Sequence, residues 1–304
     1  MARTIDVVHL GSASRDLTDD DPRGWRLGGG VTYAALTTAR LGLATAAAIG
    51  LDPLAISAWE LDLLHDAGVE VRPIALPAGP VFVNEERPTG RVQLALEVGV
   101  PLPDSIAPER WATAGAWSIV PVAGELPEAA SGWAPEGAFL AVGWQGLLRS
   151  LQAGKRVRRR APRPDATLAR ADLVGMSRND VGPTVGLEQL AGLLGDGTRL
   201  AITDGAAGGV LVRIRDGAPS ERQPYPAIPA SGEVDATGAG DVFLAALLSA
   251  VVGSDRGDDW PTLDQLTFAA GAASFAVTAA GLVGVPEDAA AVRRAVASVA
   301  PAVD

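Results

Sequence analysis

The chain has no cysteine, and among its 304 residues only one lysine, Lys155, and two histidines, His9 and His65. Without cysteine, disulfides, thiolate metal sites and cysteine nucleophiles are excluded. The lone lysine is followed by arginine rather than Ser or Thr, so the G-K-[ST] phosphate loop is absent, and a Schiff-base mechanism is disfavoured. Neither histidine stands in a metal-ligand spacing such as H-E-x-x-H, and His9 falls in an apolar run that reads as core. No apolar stretch is long enough to span a membrane, and Met1–Asp6 lacks the apolar segment of a secretory signal. A cytoplasmic protein with no membrane partner is therefore expected. A net charge of −11 argues against a nucleic-acid partner. The one basic cluster, Lys155 to Arg160, reads as a solvated surface segment. What is left for chemistry is carboxylates and backbone amides.

Hydrophobic residues make up 48% of the chain, enough for a sizeable core. Ile5–Leu10 reads as a buried strand, and Gly28-Gly29-Gly30 opens an alanine-rich helix over 31–41 that Gly42 closes. A strand over 44–49, a helix begun by Pro53 and a strand at 68–71 follow, and this alternation indicates a parallel sheet of β–α–β units. Val81–Asn84 and Val92–Leu96, separated by a Pro-Thr-Gly turn, read instead as an antiparallel hairpin. Together with the segment around 12–28 they form the expected β lid, over about 12–28 and 78–97. Strand-like runs recur at 117–120, 139–142, 171–175 and 200–203, and the last part reads as helices over 242–252, 263–279 and 287–299. No internal repeat or interdomain linker breaks the chain, so one α/β domain over 1–304 is expected.

The most specific stretch is Val234-Asp235-Ala236-Thr237-Gly238-Ala239-Gly240-Asp241-Val242-Phe243. Its glycines let a turn bring main-chain N–H groups close to a ligand, and the apolar run beyond continues as a helix whose N-terminus attracts anions. Asp241 beside such a cradle can take a proton from an attacking hydroxyl, although Asp is also a favoured first-turn residue on stability grounds alone. The run resembles the D-T-T-G-A-G-D signature of the ribokinase-like (PfkB) carbohydrate kinases, departing at Ala236.

Other segments extend the resemblance over nearly the whole chain. Leu27 to Ala35, followed by Leu41-Gly42, looks like the family's di-glycine motif G-G-x-x-x-N, with Tyr33 standing where the family has Asn. Gly11 to Asp16 is similar to its G-x-x-x-x-D segment, whose Asp binds substrate hydroxyls; two acceptor oxygens suit a vicinal diol, while a turn-forming Asp is the plain alternative. Thr203 to Gly208 resembles the T-x-G-x-x-G nucleotide loop but is equally compatible with a hairpin turn. It is not a dinucleotide fingerprint, which disfavours a Rossmann oxidoreductase. Ser177-Arg178-Asn179-Asp180 stands where the family has N-x-x-E and reads equally well as a capping box. The run Phe268 to Ser274, small from Ala269 onward, fits either close helix packing or a flat adenine slot.

The resemblance implies a three-layer α/β/α core with a mainly parallel central sheet and a small β-sheet lid. It implies an ATP-dependent phosphotransferase acting on a hydroxyl of a small sugar or polyol. Asp241 would be the general base, with Gly238, Ala239 and Gly240 as the anion hole. Asp16, Gly28, Gly29, Tyr33, Asn84, Arg91 and Gln145 would contact the acceptor. The Gln145-Gly146-x-x-Arg149 pattern is similar to the branch resembling inositol kinases. Thr203, Gly205, Gly208, Thr237 and Ala272 would hold the nucleotide. Asp180 would organise Mg2+ through water, and Asp235 would neighbour a monovalent cation such as K+. The helix N-terminus is expected to lower the pKa of Asp241. A lid-paired homodimer is compatible with the family. The rivals are a non-catalytic nucleotide or polyol sensor on the same fold and a kinase of nucleosides rather than sugars.

Overall fold

In the computed structural model, residues 4–85, 92–253 and 260–299 are described. The main sheet has nine strands, β1 (Val7–Ser12), β4 (Thr45–Leu51), β5 (Glu70–Ala75), β8 (Ala116–Ile119), β9 (Phe139–Gly143), β13 (Leu173–Ser177), β14 (Arg199–Thr203), β15 (Gly209–Arg215) and β16 (Ala218–Tyr225). Their spatial order is β16-β15-β14-β13-β9-β8-β1-β4-β5. All neighbours from β5 to β14 pair in parallel, and β15 and β16 add an antiparallel edge.

A second sheet of five strands joins β2 (Ser14–Leu17), β3 (Trp25–Gly28), β6 (Val81–Glu85), β7 (Val92–Glu97) and β11 (Lys155–Arg156). This is the expected lid, with β11 as an addition from far along the chain. The turn between β6 and β7, including Arg91, lies outside the described residues. A separate two-stranded ribbon pairs β10 (Arg149–Ser150) with β12 (Arg158–Arg159).

Central strands covered on both faces read as unbroken apolar runs, and side chains alternate between the two covers. Val7, Ala47 and Ile49 face one core with helices α1 (Gly30–Arg40), α2 (Glu60–Asp66), α5 (Ala239–Val252) and α6 (Leu263–Ala276). Val8, Leu10, Ala46 and Ala48 face the other, where Trp111, Trp117, Trp144, Leu168 of α3 (Ala166–Arg170) and Leu190 of α4 (Leu187–Ala191) are buried. Helix α7 (Ala289–Val299) packs outside α6. The result is the three-layer arrangement expected. His9 is a core residue: its Nε2 shares a hydrogen bond of 2.9 Å with Thr38, and burial pushes its pKa down to about 3, so it is neutral.

Three local expectations are corrected. Pro53 does not begin a helix, because Asp52 Oδ1 accepts from the amides of Leu54 and Ala55 and holds a short 3-10 turn over Ala55–Ser57; α2 starts only at Glu60. The helix expected over 263–279 ends at Ala276 and gives way to a 3-10 turn over Gly281–Gly284. The strand expected at 171–175 is displaced to Leu173–Ser177.

Two buried ion-pair clusters join lid strands to the core and so position the lid's side chains. Arg15 Nε donates to Asp52 Oδ2 at 2.7 Å. Glu60, on α2, accepts from Arg23 and from the amide of Leu27. Arg23 also pairs with Asp21, holding that carboxyl well below the usual carboxylate range, and stacks over Trp25 at 4.4 Å. Removing one partner of such a pair leaves a buried charge uncompensated.

Candidate active site

The N-terminus of α5 is built by the glycine turn. Gly238 caps the helix at φ 81°, a left-handed conformation that favours glycine, and a Cβ there would also overlap the Tyr33 ring. The first helical bond runs from Val242 N to Gly238 O at 2.9 Å. The amides of Gly240 and Asp241 therefore have no acceptor in the helix, while that of Ala239 donates to Ala236 O at 3.4 Å. Upstream, Asp235 Oδ1 accepts from Thr237 N at 2.9 Å and from its hydroxyl at 2.7 Å, and Val234 N is tied to Val277 O. The turn is held from both ends.

Asp241 is the third residue of α5 and is half-buried. It lines a cleft of about 830 Å3 together with Asp16, Gly29, Tyr33, Gln145, Asp180, Thr237 and Gly238. Burial pushes its pKa up to about 6; the nearby Arg149 guanidinium acts in the opposite direction, and the Asp180 carboxylate raises it further. The shift is upward, opposite to the lowering expected from the helix terminus, and loss of water on burial is its largest cause. A carboxyl at about 6 is a better base near neutral pH than an ordinary aspartate.

Asp16 enters from the lid strand β2, in register with Arg26 and Phe82. Gly28 does not line the cleft. It supports Asp16 from beneath, since a Cβ at Gly28 would lie 2.6 Å from Asp16 Oδ2. Gly30, not among the expected site residues, plays the same part for the base: a Cβ there would lie 2.7 Å from Asp241 Oδ1. Three consecutive glycines thus let the lid, the start of α1 and the start of α5 converge. Asn84 accepts from Gln93 at 2.9 Å and lines an adjoining cavity of about 540 Å3, which shares Asp16 and Tyr33 with the cleft. Asp235 and Gly281 line that second cavity too.

Ser177–Asp180 forms the capping box that the sequence allowed. Asp180 Oδ2 accepts from Ser177 N at 2.8 Å, and Oδ1 accepts from Gln145 Nε2 at 3.1 Å. Each carboxylate oxygen carries a further lone pair, so a water bound to a cation still fits. Among the described residues no group of three or more His, Asp or Glu is arranged to hold a metal directly.

The nucleotide residues are less concentrated. Thr203 neighbours Ser177 across the β13–β14 pair, which puts the Thr203–Gly208 loop beside the cleft, but Thr203, Gly205 and Gly208 do not line it. Ala272, expected at an adenine slot, is fully buried in the core, and Gly271 next to it lies against Val292 and Val296 of α7. The small residues of α6 serve helix packing. The basic cluster is also revised, because Arg158 and Arg159, though exposed, line the cleft with Arg149. Sequence could not show this, since the pairing that returns them to the cleft joins residues eight and ten apart with no hairpin signal between them.

Residues 169–288 match the model described as pfkB family carbohydrate kinase. No curated protein sequence matches the chain. Among solved structures it is similar to Arabidopsis thaliana ribokinase complexed with ribose and ATP, at TM-score 0.69 and 19% identity, over 97% of this chain and 99% of that one. A pyrophosphate-dependent kinase of the ribokinase family, complexed with a pyrophosphate analog and myo-inositol, matches at TM-score 0.70 and 20% identity, covering 95% and 99%. The nucleoside kinase of Methanocaldococcus jannaschii matches at 0.67 and 14%, covering 98% and 100%. At these identities the likeness is one of fold, and with the family match it supports a carbohydrate kinase.

Proposed function

Starting from a chain with the ribokinase fold and a pfkB-type match over 169–288, we propose that it transfers a terminal phosphoryl group to a hydroxyl of a small sugar or polyol. One observation carries the reading: Asp241, at the head of α5 and with its pKa raised to about 6, lines the same cleft as the lid carboxylate Asp16. Asp16 accepts hydrogen bonds from neighbouring acceptor hydroxyls, with Tyr33 and Gln145 as further contacts. The reacting hydroxyl lies against Asp241. Its oxygen forms a bond to phosphorus as the bond from phosphorus to the leaving phosphate breaks, and its proton passes to Asp241. Main-chain amides of Ala239, Gly240 and Asp241 stabilise the charge on the transferring oxygens.

The donor is a terminal phosphoryl group on a good leaving phosphate. ATP, present in the Arabidopsis complex, meets that requirement, and so does pyrophosphate, for which another neighbour is named. A hydrated magnesium ion, held by Asp180 through water, would neutralise donor charge when bound. Asp235, which lines the second cavity, would neighbour a monovalent cation such as K+ when one is bound.

The test is a product assay over a panel of sugars, cyclic polyols and nucleosides with either donor. At least one acceptor should be phosphorylated, and Asp241→Asn should lower its turnover by about 10²–10⁴-fold, the usual contribution of a positioned base. Wild-type turnover in that variant would remove Asp241 from the role. Thermal stabilisation by ligands with no product from any acceptor would favour the sensor instead.

A further inference from the structure

The ribbon of β10 and β12 has an arrangement that stability alone does not favour. Arg149 stands directly opposite Arg159, with Ser150 opposite Arg158. Like charges directly opposite on paired strands are destabilising, and two-residue strands have little pairing to offset the cost. All three arginines nevertheless line the cleft, where the other charged groups are Asp16, Asp180 and Asp241. Five of the six residues from Lys155 to Arg160 are basic in a chain of net charge −11. Arg149, Arg158 and Arg159 set three positive groups against those three carboxylates, which gives an otherwise acidic cleft the charge that an anionic ligand needs.

We propose that Arg149, Arg158 and Arg159 form an anion clamp for the diphosphate part of the phosphoryl donor, complementing the amides at the head of α5. The clamp sits where the donor must be. Arg149 is close enough to Asp241 to act on its ionisation, and Arg159 Nε donates to Asn179 O at 2.8 Å, beside Asp180. The ribbon thus bridges the base and the Ser177–Asp180 segment, which adjoins the Thr203 loop. Guanidinium forks match phosphate oxygens in pairs, so three of them suit a diphosphate better than a neutral sugar. The diphosphate belongs either to a nucleoside triphosphate or to inorganic pyrophosphate.

The inference rests on the phosphoryl-transfer reading of the cleft, and a binding measurement separates the two, since it needs no turnover. Calorimetric titration with magnesium pyrophosphate and, separately, with a non-hydrolysable ATP analogue would be run on wild type, Arg149→Met, Arg158→Gln, Arg159→Met and the control Arg156→Gln, whose position lies outside the cleft lining. At least one ligand should bind wild type. Each cleft variant should weaken it by roughly 10–100-fold, the range for losing a charge-assisted hydrogen bond, and the control should leave it unchanged. Affinity should also fall steeply with added salt. Pyrophosphate binding that depends on the arginines assigns the base-free donor; analogue binding alone, with the same dependence, assigns the nucleotide. Arg158 is exposed, so its variant remains informative even if Arg149→Met fails to fold. Unchanged affinity in Arg158→Gln and in every folded cleft variant, or no binding of either ligand to wild type, overturns the clamp. Arginine-dependent binding without any phosphorylated product would keep the clamp while the kinase reading fails.

Discussion

Two stretches of small residues sit at helices in this molecule and are used in opposite ways. Thr237 to Gly240 stands at the head of α5, where Thr237 and Gly238 line the cleft and Gly240 is exposed. Ala269 to Ala272 lies along α6, buried between α5 and α7. In both places the absence of bulk allows a close approach. At α5 the turn opens on the cleft, where main-chain donors can meet a ligand. At α6 the space opposite is another helix, so the same chemistry becomes packing. Small side chains specify that something comes near; only the neighbour decides whether it is a ligand or the protein itself.

That contrast can be broken by substitution, and the largest effect is expected at the turn. Gly238→Ala forces a side chain onto a residue at φ 81° and into the Tyr33 ring. The left-handed conformation alone costs about 1–2 kcal/mol. Turnover should fall by at least about 10-fold as the first-turn amides move out of line, and the melting temperature should drop with it. A fully active variant in a steady-state assay would show that the amides of α5 do not need their present positions.

The α6 stripe should behave in the opposite sense. Ala272→Val adds bulk to a site with no exposure. Overpacking of this kind costs about 1–3 kcal/mol, read as a lower melting temperature, while donor affinity and the turnover of the folded fraction stay at wild-type values. Weaker donor binding without loss of stability would restore the adenine slot.

The smallest effect concerns ionisation at the head of α5. Asp241 works as a base only when ionised, and its pKa is raised to about 6. Turnover should therefore be constant above that value and fall tenfold per pH unit below it. The Asp180 carboxylate raises the pKa by like-charge repulsion. Asp180→Asn removes that charge, so the acidic limb of the pH–rate profile should move to lower pH by a fraction of a unit. An unmoved or higher limb would show that Asp180 does not act on Asp241 through its charge.

Much of this site was legible in the chain itself. Gly238 and Gly240 before an apolar helical run announced a turn that frees main-chain donors, and Asp241 announced a carboxylate at its end. The lid hairpin could be read because no helix separates its strands, and the Ser177–Asp180 cap because its bonds are local. What could not be read depends on distant partners. The bond from Gln145 to Asp180 spans 35 positions, and Gly30 meets Asp241 across most of the chain. The basic run at 155–160 looked like solvated surface because charge clusters usually are. Only the pairing of β12 with β10 turns two of its arginines into the cleft.

By itself the sequence determined what short-range physics controls: the alternation of strands and helices, the turns where glycine escapes Cβ clashes, and a chemistry confined to carboxylates and amides. Tertiary structure decided what those groups experience. It closed the α6 stripe, brought three arginines to three carboxylates, and reversed the expected shift of Asp241. The reason is that the desolvation of a charge and its Coulomb partners are set by whatever packs opposite it, which local sequence does not encode.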